Sequence, residues 1–184
     1  MGPGQVGIRM EDSNIGEVRG VAQEQNLDPY MGDVVRAKLK EFPDGESYQK
    51  KIADMKRLTD VDKKHKAHEA ISKDDLRFLY ELDSKIEGFG YQTDPRIKEL
   101  LDTRDMKADL SELTGYSQEH ISTTQKEALK GGIKFHYGYL DLGSLEFAEG
   151  LQLPETLRGN LDLSRLESAE KQKIKEEHPN LYII

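Results

Sequence analysis

The sequence predicts an α+β fold: an N-terminal β-hairpin, a helical region, and a short leucine-rich β-solenoid towards the C-terminal end. Three observations carry this reading. Apolar residues alternate at Val6, Ile8 and Met10; capped stripes spaced by three and four recur from Asp28 to Gly132; and one twelve-residue unit occurs twice, 21 residues apart, from Gly138 onward. The segments implied are a hairpin arm at residues 1–28, a helical domain at 29–132 and a repeat at 133–184.

The 184 residues suit one or two ordinary domains, and 27 basic against 35 acidic side chains leave a net charge of −8. Leu, Ile, Val and Phe make up 43 positions, enough for a modest core. The chain has no Cys, which excludes disulfides, thiolate metal sites and cysteine nucleophiles and fits a reducing compartment. No stretch approaches the roughly 20 apolar residues of a membrane span, and the opening MGPGQVGIRMEDSN lacks the apolar core of a secretory signal. A cytoplasmic location, with no membrane partner, is therefore expected.

In the hairpin, the polar stretch from Glu11 to Asn14 supplies the turn, and Val18 and Val21 follow it. Asp28-Pro29 opens a first helix carrying Val34, Val35 and Leu39, which Pro43 stops. Tyr48, Ile52, Met55 and Leu58 define the buried face of a second. Ser72 and Asp75 stand as a capping box before a third, with Leu76, Leu79, Tyr80 and Leu82 inward. Asp94-Pro95 starts a fourth with Ile97, Leu100 and Leu101 inward, and Thr124 with Glu127 starts a last short one that Gly131-Gly132 ends.

Composition then changes: ten of the 21 leucines fall between Leu140 and Leu181, and no Val follows Val61. GYLDLGSLEFAE at 138–149 and GNLDLSRLESAE at 159–170 agree at eight of twelve positions. The triplets Leu140-Asp-Leu142, Leu151-Gln-Leu153 and Leu161-Asp-Leu163 each place two leucines on one face of a strand. Asn180 to Ile183 continues the series, and Ile133-Lys-Phe135 is its expected start. Strands this short cannot bury a face alone, so they are expected to stack, with Leu145, Leu157 and Leu166 turning in at the corners. Asp141, Gln152, Asp162 and Tyr182 would then project outward as a binding row. The apolar end at Ile183-Ile184 points to a further coil or to self-association through this edge.

The L-x-L-x-x-L pattern, followed by a polar run from Ser168 and then Pro179-Asn180, resembles a leucine-rich repeat, in which an outer helix leads through a turn into the next strand. Residues 150–163, GLQLPETLRGNLDL, are similar to tandem G-L-x-L-P-x-x-x-x-G-x-L-x-L repeats of uncharacterised bacterial proteins. The resemblance covers about residues 133–184. It departs from the leucine-rich pattern in lacking the L-x-x-L-x-L lead and a regular asparagine ladder. It implies a scaffold that binds another protein rather than a reaction. Residues 1–132 resemble no family.

Other candidate chemistry is sparse. His65, His68 and Glu69 are the nearest approach to a metal site, on the assumption that one helix face carries them. Their spacing is not that of H-E-x-x-H, and the lysines around them oppose a cation. Between Lys50 and Lys66, seven basic residues face three aspartates, a pattern that could contact phosphates; but the chain is acidic overall, and charge runs on helices usually solubilise. Phe89 and Tyr91, in a glycine-aromatic loop, suit either a plug between helices or a partner pocket. His120 and His136 have no G-x-S-x-G context. No cofactor motif appears and no catalytic set rises above chance, so a protein-interaction scaffold is the expected function. A metal-dependent or phosphate-handling enzyme in the helical region, or a nucleic-acid contact through the basic stretch, are the alternatives.

Overall fold

A computed structural model describes residues 6–11, 14–20, 37–90, 92–145 and 149–178. In chain order the elements are β1 (Val6–Glu11), β2 (Asn14–Gly20), α1 (Gly45–Lys66), α2 (Lys73–Leu79), α3 (Pro95–Asp102), α4 (Met106–Thr114), a 3-10 turn (Gln118–His120), β3 (Ile121–Ser122), α5 (Gln125–Ala128), β4 (Phe135–Tyr137), β5 (Leu140–Asp141), β6 (Thr156–Arg158), β7 (Leu161–Asp162) and α6 (Ser168–Glu177). The fold is thus mixed α+β, with no helix among the described residues long and apolar enough to cross a membrane. Two compact units divide the chain, Met1–Ile71 with Ser84–Glu99, and Ser72–Asp83 with Leu100–Ile184. These units do not follow the three sequence segments, because the expected helical domain contributes to both.

In the first unit, β1 and β2 pair antiparallel as the alternation implied, with Ile8 opposite Val18 and a bulge between Arg9 and Met10. Ile15 is buried against Leu39 and Tyr48, and its backbone N–H donates to Asp44 Oδ2 at 2.7 Å. That bond takes the Asp44 carboxylate away from capping α1 and gives it to the hairpin. Gly45 begins α1 because a Cβ there would lie 1.8 Å from the Leu39 carbonyl oxygen. The helix then runs 22 residues, with Tyr48, Leu58 and Val61 buried and basic residues in its last turn, where the helix dipole favours them. Ile52, expected inward, is 38% exposed, and Val61 extends the buried stripe in its place. The helix expected from Asp28 falls, as far as residue 36, outside the described residues.

The second unit starts at α2, where Ser72 Oγ accepts the Asp75 N–H as the capping pattern required. The helix stops at Leu79, earlier than expected, and Leu82 is half-buried beyond it. Tyr80 is fully buried, and its hydroxyl donates to Asp109 Oδ2 at 2.8 Å. Arg104 clamps the same carboxylate with Nε and Nη2, and Tyr137 meets the Tyr80 ring edge-on at 5.5 Å between centroids. Burial and the adjacent Asp109 carboxylate raise the Tyr80 pKa well above the ordinary tyrosine value. Asp109 sits on α4, a helix the stripe reading passed over although its ends are plain: Asp105 accepts the Ala108 N–H and Gly115 closes it in the left-handed region.

The two copies of the repeat lie against each other in register. β4 pairs parallel with β6, Phe135 to Thr156, and β5 with β7, Leu140 to Leu161. Both offsets equal the 21-residue repeat. Between these pairs the ladder continues as Gly138, Leu140 and Leu142 donate to the carbonyls of Arg158, Asn160 and Asp162, each at 2.9 Å. Leu140, Leu142, Leu161, Leu163 and Leu166 bury their side chains together with Ala128 of α5 and Ile174 of α6. Each such leucine contributes about 1.5–3 kcal/mol relative to exposure. The bends at Gly138 and Gly159 stack so closely that a Cβ on Gly159 would lie 2.0 Å from the Gly138 oxygen, which accounts for glycine at 159; at Gly138 a Cβ would find room, and it is the φ of 127° that favours glycine.

Two strand assignments change. Leu151-Gln-Leu153 is not a strand; the strand is β6, which places Leu157 within it rather than at a corner. Pro154, buried beside that triplet, has no N–H to give a ladder. The series also begins earlier than Ile133, since β3 pairs parallel with β4, Ile121 to Phe135. Leu145 and Leu157 are only partly buried against the core, whereas Leu166 is buried as expected.

Candidate functional site

The outward row expected from the repeat reduces to one ledge on β5 and β7. Asp141 and Asp162 are register partners on these adjacent strands. Asp141 Oδ1 accepts the Gly143 N–H at 3.0 Å, and Asp162 Oδ1 accepts the Ser164 N–H at 2.8 Å. The identical Leu-Asp-Leu triplets therefore end in the same side-chain-to-backbone turn, which releases the chain from the strand and holds each carboxylate still. The Tyr139 hydroxyl donates to Asp162 Oδ2 at 2.9 Å, and the ring is 55% exposed. The Ser164 amide and then the Tyr139 hydroxyl hold the Asp162 carboxyl below the usual range, while Asp162 pushes the Tyr139 phenol upward. An open cleft of about 500 Å³ runs along this ledge, with Gln125, Ser144, Ser164 and Arg165 beside the two aspartates.

Tyr139 was not among the residues singled out from sequence. The signal was present, since it directly precedes the first Leu-Asp-Leu triplet, but alternation alone does not show that its hydroxyl reaches the neighbouring rung. Gln152 leaves the row: it lies outside any strand, with its side chain against Gly131. Tyr182 lies outside the described residues.

The metal candidates are not brought together. Helix α1 ends at Lys66, so only His65 is on it, while His68 lies past the C-cap with φ of 57° and Glu69 is exposed. The assumed common helix face therefore does not exist, and no group of three metal-ligating side chains occurs among the described residues. Aspartates within the basic stretch offset part of its charge, through Lys50 with Asp54 at 2.5 Å and Lys66 with Asp62 at 2.7 Å. Lys50 also donates to the Lys85 carbonyl at 2.6 Å.

Phe89 does not plug a helix junction. It is 56% exposed, edge-on to Tyr48 at 5.4 Å, next to a cavity of about 360 Å³ lined by Lys51, Met55, Gly88, Gly90 and Ile97. Tyr91 lies outside the described residues.

Each of the two histidines left without a motif meets a serine. Ser117 Oγ and His120 Nδ1 are 2.8 Å apart at the surface. Ser122 Oγ and His136 Nδ1 are 2.8 Å apart between register partners of β3 and β4. The second pair is sealed, with His136 1% and Ser122 0% exposed, so no substrate reaches it. Burial holds the His136 pKa below the ordinary histidine value.

No family model, curated protein or solved structure matches this chain. The site therefore rests on its own geometry: two fixed carboxylates in register, an exposed phenol and flanking hydroxyls, on strands that need no further ordering.

Proposed function

We propose that this protein is an interaction scaffold, and that residues 121–145 and 149–178 belong to a short leucine-rich β-solenoid whose outer ledge binds another protein. The observation that carries the reading is the parallel, in-register pairing of the two repeat copies at an interval of 21 residues. Stacked strands of this kind hold their outward groups rigidly, so binding costs little ordering entropy. On the ledge, Asp141 and Asp162 accept donors from the partner, and Tyr139 supplies exposed aromatic area of the sort enriched at interface anchors. A reading in which the tail serves only as a structural cap needs no such ledge.

The test is quantitative capture from source-cell lysate by the intact protein and by the Asp141→Ala/Asp162→Ala and Tyr139→Ala variants, each with an unchanged circular-dichroism spectrum. A protein retained by the wild type and reduced about tenfold or more by both variants, equivalent to a loss of roughly 1.4 kcal/mol in binding, supports the ledge. Identical capture by all three removes it.

A further inference from the structure

The first unit carries a cavity that the ledge does not use. About 360 Å³ in volume, it lies between α1, the segment 85–94 and α3, all within that unit. Helix α1 gives it Lys51 and Met55, which stand one turn apart on a single face. Ile86 and Ile97, both buried, complete the apolar part of the wall. Gly88 and Gly90 also line it and have no side chain to fill the space: a Cβ on Gly88 would reach only ordinary contact with Met55, at 3.8 Å. Phe89, between them, sets its ring against Tyr48 and leaves the cavity open.

Hydrogen bonds hold these walls in place. Asp54 Oδ2 accepts the Glu87 N–H at 2.9 Å, the Lys85 carbonyl accepts Lys50 Nζ at 2.6 Å, and Ser47 Oγ donates to Glu87 Oε2 at 3.1 Å. Arg96 Nη1 donates to Thr59 Oγ1 at 3.0 Å and ties α3 to α1. A cavity braced in this way needs little ordering before it takes a ligand.

Its charges are sorted by sign. Among the described residues, the ionic side chains lining it are Lys51, Lys85, Glu87 and Asp94. Both acids are occupied. Asp94 accepts Arg96 Nε at 2.9 Å and Nη2 at 2.8 Å, while Glu87 takes the Ser47 hydroxyl and stands 3.9 Å from Lys50 Nζ. Lys50 thus engages Asp54 and Glu87, and Lys51 and Lys85 are left without an ion-pair partner among the described residues. Two unmatched ammonium groups beside an apolar wall complement an anion that carries an apolar body, and the volume is at the small end of the roughly 300–1,000 Å³ of ligand pockets.

We propose that this cavity binds a small organic anion, one carboxylate or phosphate on an apolar body, with Lys51 and Lys85 at the charged group and Met55, Ile86 and Ile97 against the rest. The site shares no residue with the ledge and does not depend on it.

NMR titration of the intact protein tests it with 3-phenylpropionate, phenyl phosphate and the neutral 3-phenylpropionamide. We expect the Gly88 and Gly90 amides to shift saturably with at least one of the anions, and the neutral amide to bind about tenfold or more weakly than that anion. The anion that binds more tightly identifies the charged group. In a Lys51→Gln/Lys85→Gln variant this preference should vanish, and Gly88→Leu, which fills the space without altering charge, should abolish the shift at Gly90. If Gly88→Leu fails to fold, the paired glutamine variant decides. No saturable shift with either anion up to about 10 mM overturns the proposal. So does equal affinity for the neutral amide and the tighter anion, or an anion preference that survives both glutamine substitutions.

Discussion

Asp141 and Asp162 stand side by side on adjacent parallel strands, and each folds its carboxylate back onto the amide two residues ahead. The residue with the clearest claim to a binding role is thus also the one that ends its rung. Between them, the flanking leucines provide the core and the aspartates define where each strand stops.

This division of labour orders the effects of substitution. Leu163→Asp places an unpaired charge where exposure is 0% and should remove cooperative melting of the second unit, a loss of at least about 4 kcal/mol. Asp162→Ala should lower the melting temperature only slightly, though more than Asp141→Ala, because Asp162 also accepts the Tyr139 hydroxyl. Calorimetry on the three variants checks the order; equal destabilisation would reverse the inward and outward assignments.

Burial of His136 makes stability depend on pH. Its folded pKa lies below the ordinary value of about 6.5, so the unfolded chain takes up the proton first as pH falls. The stabilisation is fully present above about pH 6.5 and declines below it, down to the folded pKa. Urea unfolding at pH 7.0 and pH 5.5 should show a loss in the wild type that shrinks in His136→Gln. An equal loss in both would place the pH dependence elsewhere.

The two glycines Gly159 and Gly150 both take a positive φ, 148° and 78°, and differ in whether close approach is added to it. A Cβ at Gly159 meets the Gly138 backbone, whereas at Gly150 it meets open space, at φ of 78°. Gly159→Ala should cost about 3 kcal/mol or more by forcing the rungs apart, and Gly150→Ala about 1 kcal/mol from the left-handed conformation alone. Similar melting temperatures for the two variants would show that the bends are not in contact.

Around Tyr80, removing the hydroxyl and removing its acceptor should differ. Tyr80→Phe takes away one buried hydrogen bond, about 1 kcal/mol, and leaves Asp109 bound by Arg104. Asp109→Ala strands both the hydroxyl and the guanidinium and should cost about 3 kcal/mol. Chemical denaturation of both variants measures the gap, and parity between them would mean that the Arg104 clamp contributes nothing.

The repeat interval, the hairpin and the helix starts at Ser72, Asp94-Pro95 and Thr124 were legible in the sequence because each depends on a local rule. Equivalent positions in two near-identical units have the same burial needs, so stacking them in register satisfies both at once. Ser72 and Thr124 cap their own helices within three residues. What only the tertiary structure decided is where a local pattern is overruled. Leu151-Gln-Leu153 carries the same alternation as its neighbours, yet the paired strand begins after Pro154, where in-register partners are available. Ile52 falls on a helical stripe but finds no core to cover it. The Ser122–His136 pair and the reach of Tyr139 to Asp162 join residues 14 and 23 positions apart. Periodicity in a chain states which side chains share a face; the packing of other elements states whether that face is covered, and by what.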